Sequence, residues 1–182
     1  MIAPRRRLFL RRRVAEAAAP QAPAVQRPPW AVAEERFTQL CVRCHACIED
    51  CPRDVLKIGD GGFPEVDFHA QGCDFCGACE AACEPQALNR AAAEAGQGAS
   101  TPAAWPGWQV QIGPQCLALQ KVECRMCADA CEPRAIRFQP ALGGISQMVL
   151  NLAACTACGE CVGVCPVGAA GMVRGDAAGA HG

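Results

Sequence analysis

The spacing of the cysteines constrains this chain more than any other feature of its sequence. Three groups follow the pattern C-x2-C-x2-C-x3-C, and each has a proline directly after its last cysteine or one residue later. These regular groups, the first, second and fourth along the chain, are Cys41, Cys44, Cys47, Cys51; Cys73, Cys76, Cys79, Cys83; and Cys155, Cys158, Cys161, Cys165. The third group has seven residues between its first two members and consists of Cys116, Cys124, Cys127, Cys131. None of the sixteen cysteines lies outside these groups.

The remaining composition is too poor in large apolar residues to build an ordinary core. Ile, Leu, Val and Phe together number 35 of the 182 residues, a level at which chains tend not to fold unaided. A small core of this kind needs disulfides or bound metal. One hypothesis is therefore a secreted disulfide scaffold, which would be colourless and free of iron.

The N-terminal sequence favours metal over disulfides. The run Arg5-Arg6-Arg7-Leu8-Phe9-Leu10 resembles a twin-arginine export motif, but more arginines and a Pro-rich stretch follow where export needs an apolar segment. We therefore expect a basic arm and a cytoplasmic location, in which thiols stay reduced. The uncharged stretches 95–120 and 138–159 contain Gly, Pro and Gln, so we expect no membrane span.

Charge and missing motifs exclude two other classes of protein. Beyond the first 13 residues the chain has 11 basic and 18 acidic residues, whereas nucleic-acid-binding modules are basic. The sequence has neither the phosphate-binding pattern G-x4-G-K-[ST] nor the dinucleotide pattern G-x-G-x2-G. Nothing in it indicates a Ser/His/Asp arrangement. We therefore expect no nucleic-acid partner and no enzymatic activity.

The cysteine spacing predicts [4Fe–4S] clusters as the bound metal. Three thiolates on a tight loop can reach three irons of one cube, and the fourth, after the x3 gap, ligates the cluster of the partner group in two-cluster ferredoxins. Zinc, the competing metal, usually takes two C-x2-C pairs separated by a long spacer. Three repeats of the regular pattern favour iron–sulfur clusters.

This rule predicts four ligand sets, each drawn from two groups. Site I is Cys41, Cys44, Cys47 with Cys83, and site II is Cys73, Cys76, Cys79 with Cys51. Site III is Cys116, Cys124, Cys127 with Cys165, and site IV is Cys155, Cys158, Cys161 with Cys131. We expect four clusters, or three if the irregular third group is empty. Four free thiols would be hard to explain in such a chain.

The repeat of the groups predicts an α+β fold made of two tandem bacterial two-[4Fe–4S] ferredoxin-like units with short helices and β-hairpins. The predicted hairpins are 55–58 with 66–68, and 136–138 with 148–150 around a turn at 143–144. After each fourth cysteine an apolar pair indicates a strand start, at 55–56, 87–88, 135–136 and 172–173. The predicted boundaries are a basic, Pro/Ala-rich arm at 1–36, units at 37–90 and 113–174, a linker at 91–112 and a tail at 175–182. The Trp residues of the linker, Trp105 and Trp108, are expected to pack on one of the units.

The chain resembles the NapF family of ferredoxin-type proteins over nearly its whole length. The resemblance rests on the early arginines, the Arg27-Pro28-Pro29-Trp30 segment, the Trp-containing linker, and above all the irregular group from Cys116-Leu117-Ala118 to Cys131-Glu132-Pro133. It implies a cytoplasmic iron–sulfur accessory protein of periplasmic nitrate reductase systems. Such a protein would bind the NapA precursor, the catalytic subunit, and help it acquire its own cluster before export. The alternative is a soluble polyferredoxin that carries electrons to a redox enzyme.

Overall fold

The computed structural model describes residues 25–95, 104–141 and 146–175. Residues 1–24, most of the predicted basic arm, and the predicted turn at 143–144 lie outside these ranges. Within the described residues, no helix has the length and the apolar composition that crossing a bilayer requires.

In the first half, the described residues 25–95 contain four helices and one short hairpin. Its elements are α1 Glu34–Leu40, α2 Ala46–Glu49, β1 Leu56–Ile58, a 3₁₀ turn Asp60–Gly62, β2 Pro64–Val66, α3 Ala78–Ala81 and α4 Arg90–Ala95. The hairpin pairs β1 with β2 in an antiparallel register that sets Leu56 opposite Val66. Gly61 and Gly62 have positive φ angles of 66° and 78° in the connection, which glycine adopts without steric cost.

The second half contains two short helices and four strands. Its elements are β3 Trp108–Ile112, α5 Met126–Asp129, β4 Ile136–Pro140, β5 Ser146–Leu150, a 3₁₀ turn Leu152–Ala154, α6 Glu160–Gly163 and β6 Ala170–Arg174. Strands β4 and β5 form an antiparallel hairpin, with Ile136 opposite Leu150. Strands β3 and β6 pair antiparallel from the two ends of this half, with Val110 opposite Met172.

The two halves share one plan. Each has a hairpin between its two cysteine groups, and each joins a segment before the first group to a segment after the second. That outer pairing is the β3–β6 sheet in the second half and a single bridge, Ala31 to Leu88, in the first. The chain is therefore a mixture of small helices and short strands, as expected for the α+β class.

The core follows the cysteine groups. The residues four and five positions after each fourth cysteine are buried; these are Val55, Leu56, Ala87, Leu88, Ala135, Ile136, Ala169 and Ala170. The predicted strand start at 172–173 was wrong. Strand β6 begins at Ala170, and Met172 and Val173 are only half-buried. The small side chains of Ala169 and Ala170 hid the repeat, because alanine contributes little to an apolar pattern.

The arm predicted at 1–36 is too long by at least a dozen residues. Trp30 is 4% exposed, its backbone N–H donates to the Ala104 carbonyl at 3.1 Å, and the Arg90 guanidinium lies 4.0 Å from its ring centre. Val32 is also buried, and Arg27 pairs with Glu34 at 2.7 Å. Residues 25–36 therefore pack on the first half. The Pro-rich composition concealed this because it has no helical or strand period.

The linker predicted at 91–112 overlaps two regular elements. Helix α4 extends to residue 95, and β3 occupies 108–112, where it pairs with β6. A strand whose only partner lies about sixty residues away cannot be recognised from its own five residues. Trp105 packs as expected, since it is buried and its ring meets Phe68 edge-on at 5.6 Å.

Candidate iron–sulfur sites

Left-handed backbone conformations shape the ligand loops of the three regular groups. In each loop the residue before the second cysteine has a positive φ: 58° at Arg43, 59° at Phe75 and 58° at Ala157. The residue after the second cysteine also has one, at His45, Gly77 and Gly159. Alternation of this kind turns successive backbone N–H groups toward one side of the loop and makes an anion-binding concavity. Each regular loop is thus suited to hold a cluster that is negatively charged with its thiolates.

A four-residue helix follows each second cysteine and carries the third. Helices α2, α3, α5 and α6 contain Cys47, Cys79, Cys127 and Cys161, respectively. The left-handed residue before α2, α3 and α6 supplies the bend that starts the helix. At α5 the corresponding residue is Arg125, with a φ of −132°. The irregular third group therefore also differs in its backbone.

The fourth cysteine of each group is held by a shared turn. Three residues after it comes a left-handed residue in all four groups: Asp54, Gln86, Arg134 and Gly168. Backbone N–H groups beyond that turn donate to the sulfur, from Leu88 to Cys83 at 3.4 Å, from Ala135 to Cys131 at 3.2 Å and from Ala169 to Cys165 at 3.1 Å. Hydrogen bonds to sulfur tune the potential of a cluster.

Three cavities are each lined by four cysteines drawn from two groups. The first is lined by Cys41, Cys44, Cys47 and Cys83; the second by Cys116, Cys124, Cys127 and Cys165; the third by Cys131, Cys155, Cys158 and Cys161. These are the sets assigned above to sites I, III and IV. The same four-cysteine lining indicates that all three suit the same group.

The cysteines of site II, the fourth set, are related by the effect of their thiols on one another's pKa values. The pKa of Cys79 is raised to about 12 by burial first, and then by the neighbouring thiols of Cys73, Cys47 and Cys51. Burial also raises the pKa of Cys73 to about 11, and Cys51 and Cys76 add to the effect. The four thiols of site II therefore lie within electrostatic reach of one another.

The remaining sites repeat this pattern of crowded thiols. Burial raises the pKa of Cys47 to about 11, that of Cys127 to about 11 and that of Cys161 to about 12, with neighbouring thiols adding to each shift. At Cys165 burial also acts to raise the pKa, but N–H groups of residues 167–170 outweigh it and lower the pKa. Several thiolates crowded together at buried and half-buried positions are unfavourable unless a cation compensates them, which iron would do.

The irregular group reaches its site through an enlarged loop. After Cys116 the chain makes a compact turn, in which Gln120 N–H donates to the Cys116 carbonyl at 3.1 Å and Val122 N–H to the Leu117 carbonyl at 2.9 Å. This turn takes up the extra residues and brings Cys124 back to the cavity that Cys116 lines. Cys116 is 8% exposed. The x7 gap therefore changes the path of the loop and leaves the four-cysteine lining intact.

The donor set fits a cluster better than a single ion. All sixteen cysteines are free thiols, and among the described residues no three His, Cys, Asp or Glu side chains lie close enough to share one metal ion. A cube binds its four thiolates on four different irons, so its ligands do not converge on one point. His45 lies inside the first group, and its ring nitrogen hydrogen-bonds the Gly62 carbonyl at 3.1 Å, as a structural side chain would.

Comparison with known proteins agrees with this chemistry. The profile of the 4Fe-4S dicluster domain matches residues 40–96 and 122–169. The ferredoxin-type protein NapF of Escherichia coli (strain K12) is 45% identical over 145 residues, which cover 79% of this chain and 81% of the relative. The chain belongs to the NapF family of ferredoxin-type proteins. It is thus an iron–sulfur protein of the electron-transfer class, as its resemblance predicted.

Other relatives extend the NapF family comparison. NapF of Haemophilus influenzae is 37% identical, over 80% of this chain and 77% of the relative. The methylamine utilization ferredoxin-type protein MauM of Methylobacillus flagellatus is 33% identical, over 84% of this chain and 67% of the relative. These names describe ferredoxin-type proteins and not enzymes. Cys116 lies between the two segments that match the dicluster profile, whereas Cys124, Cys127 and Cys131 lie within the second.

Sequence reasoning missed the residues that shape the loops. Glycine at 77 and 159 is a signal for positive φ, but Arg43, Phe75 and Ala157 take the same conformation without one. Their common position, directly before the second cysteine of a regular group, was the signal available. The Arg53–Glu160 ion pair between the halves was also missed, because nothing in the sequence relates positions 107 residues apart.

Proposed function

We propose that sites I to IV each bind one [4Fe–4S] cluster, in two tandem ferredoxin-like units at 25–95 and 104–175. The observation that carries this proposal is the lining of the cavities at sites I, III and IV by three cysteines of one group and one of its partner group. Site II is included because its thiols lie within electrostatic reach of one another. When bound, each cluster would accept or release a single electron. The chain's own residues supply the sixteen thiolates, and the backbone N–H groups near Cys83, Cys131 and Cys165 stabilise negative charge on the sulfurs.

The biological role that fits these sites best is that of an accessory protein for nitrate reductase. The chain would help the NapA precursor, the catalytic subunit, to acquire its iron–sulfur cluster in the cytoplasm before export. Membership of the NapF family supports this role.

Mixing the two proteins tests this role. The cluster-loaded chain is incubated anaerobically with cluster-free NapA precursor, and the two are then separated and assayed for iron. The proposal requires a complex, and iron in the precursor at the expense of this chain. A Cys116→Ala variant serves as the matched donor, because it retains the other three sites. No complex and no change in the precursor's iron would contradict the maturation role.

An electron carrier is the second candidate. It is favoured by the closeness of neighbouring sites: the Cys47 thiol contributes to the raised pKa of Cys79, and the Cys127 thiol to that of Cys161. Fast, reversible reduction of all clusters by a cytoplasmic donor, with no net loss of iron to the precursor, would favour the carrier. Slow exchange together with iron transfer would favour the maturation factor.

A further inference from the structure

One set of contacts between the two halves lies where the ligand loops of sites II and IV meet. The backbone N–H of Cys73 donates to the carbonyl of Cys158 at 2.8 Å. Cys73 is the first cysteine of the second group and Cys158 is the second cysteine of the fourth. One hydrogen bond therefore joins a proposed ligand of site II directly to a proposed ligand of site IV, with no intervening side chain.

Glycine makes this approach possible. A Cβ atom on Gly72 would lie 2.5 Å from the backbone nitrogen of Glu160 and 2.7 Å from the Cys158 carbonyl oxygen. Both neighbours are backbone atoms, which cannot rotate away. Gly163 sits similarly, 3.0 Å from the Ala70 carbonyl oxygen by the same measure. The two loops are thus in backbone contact, and glycine is the residue that permits it.

An ion pair lies at the edge of the contact between these two loops. The Arg53 guanidinium donates to the Gly72 carbonyl at 3.0 Å and also pairs with the carboxylate of Glu160. Arg53 follows Cys51, a proposed ligand of site II, by two residues, and Glu160 lies next to Cys161 of site IV. Both side chains are about one-third exposed. The pair therefore fixes the two ligand loops against each other at their rim.

Within each half, the short helices that carry the third cysteines pack against each other. In the first half α2, which carries Cys47, contacts α3, which carries Cys79, so site I lies beside site II. In the second half α5, which carries Cys127, contacts α6, which carries Cys161, so site III lies beside site IV. Together with the hydrogen bond between Cys73 and Cys158, these contacts establish which sites are adjacent.

We propose that the Cys73–Cys158 junction, held by Gly72, Arg53 and Glu160, orders the four sites in a row, I–II–IV–III, with the irregular site III at one end. The row does not follow the order of the groups along the chain. In this row the third group, with its enlarged loop, has one neighbouring site, and the half-exposed Met126 lines its cavity. This inference rests on the proposed function, since it requires all four sites to bind clusters.

Magnetic coupling between reduced clusters tests the order. Two full-length variants are loaded anaerobically, reduced and examined by electron paramagnetic resonance. One lacks sites I and III through Cys41→Ala, Cys44→Ala, Cys124→Ala and Cys127→Ala. The other lacks sites II and IV through Cys73→Ala, Cys76→Ala, Cys155→Ala and Cys158→Ala. The first should show spectra split or broadened by interaction, and the second should show isolated clusters.

Iron content separates failure of the order from failure of the ligand assignment. About eight irons with interacting spectra in the first variant, and isolated spectra in the second, support the order. About eight irons with isolated spectra in the first variant overturn it and leave the ligand assignment standing. A first variant that folds to its native secondary structure but holds no more than about four irons overturns the ligand assignment, and the order with it.

A second comparison avoids removing any ligand, in case the multiple variants do not fold. Gly72→Ala forces the loops of sites II and IV apart, whereas Gly171→Ala adds a Cβ with nothing within 4 Å. At about sixteen irons per chain, the interaction broadening of the fully reduced protein should decrease in Gly72→Ala and stay unchanged in Gly171→Ala. Equal spectra in the two variants would overturn the proposed junction.

Discussion

Cys116 occupies the position where this chain departs most from a regular ferredoxin. Seven residues separate it from its next group member, yet it is buried and lines one cavity with Cys124, Cys127 and Cys165. The turn from Leu117 to Val122 holds it there through backbone hydrogen bonds. Cys116 therefore completes the four-cysteine lining of site III.

Replacing Cys116 with Ala should remove one cluster. We expect a loss of about four irons per chain, by the stoichiometry of a cube, because the remaining three thiolates leave one iron without a ligand. Anaerobic iron assay measures this directly. Gln120→Ala is the matched control, since its side chain is exposed and makes one long hydrogen bond, 3.4 Å, within the same loop. Unchanged iron in Cys116→Ala would show that site III is not formed by this residue.

Gly159→Ala should be more harmful than Gly168→Ala, although both glycines have positive φ. Each substitution places alanine in the left-handed region, which costs roughly 1–2 kcal/mol. At Gly159 the new Cβ would also collide with the buried Phe68 ring, whereas at Gly168 nothing lies within 4 Å. The midpoint of anaerobic thermal bleaching of the clusters should fall further in Gly159→Ala. Equal midpoints would mean that Phe68 moves aside freely.

At the scale of elements, the cysteine spacing predicted more of the structure than the apolar patterns of the strands did. It predicted which cysteines come together, since three cavities are lined by the same four-cysteine sets that the spacing rule assigned to sites I, III and IV. The hairpins were also predicted, β1–β2 within two residues. Strand β3 and the packing of Trp30 were not, since both depend on partners far along the chain. Local sequence patterns predict local geometry, but they do not predict which distant segments pair.

Trp105 anchors the segment before β3 to the first half. Its indole N–H donates to the Arg27 carbonyl at 2.7 Å, and its ring packs on Phe68 and Phe75. We expect Trp105→Ala to cost about 3–5 kcal/mol, as for other buried aromatic residues, and to lower the bleaching midpoint clearly. Trp108→Ala, at a half-buried position, is the control and should have a smaller effect. The reverse order would contradict this anchoring role.

At the scale of the whole molecule, the proposed clusters replace the missing apolar core. The large buried side chains are few, with Phe37, Leu56 and Ile136 prominent among them, and they lie close to the cysteine groups in sequence. Binding free energy for the clusters is then folding free energy. Loading also makes the molecule more acidic, since four clusters would take the formal charge from −1 to about −9.

Cluster retention should increase with pH. The pKa values of Cys47, Cys79 and Cys161 in the fold are raised from 9.0 to about 11, 12 and 12, so protons compete with iron for these sulfurs. The cluster-loaded form therefore gains stability over the cluster-free fold as pH rises, until these thiols ionise on their own at about pH 11 to 12. The rate of iron loss to a chelator should fall between pH 6 and about 9. A rate that is constant or rises over this window would contradict the competition.

Anaerobic quantitation of iron and acid-labile sulfide in the intact chain tests the central claim most directly. Four sites predict about sixteen irons and sixteen sulfides per chain, by the composition of the cube, with the absorbance of brown [4Fe–4S] clusters. About twelve of each would mean that one site is empty, and zinc in place of iron would contradict the account entirely.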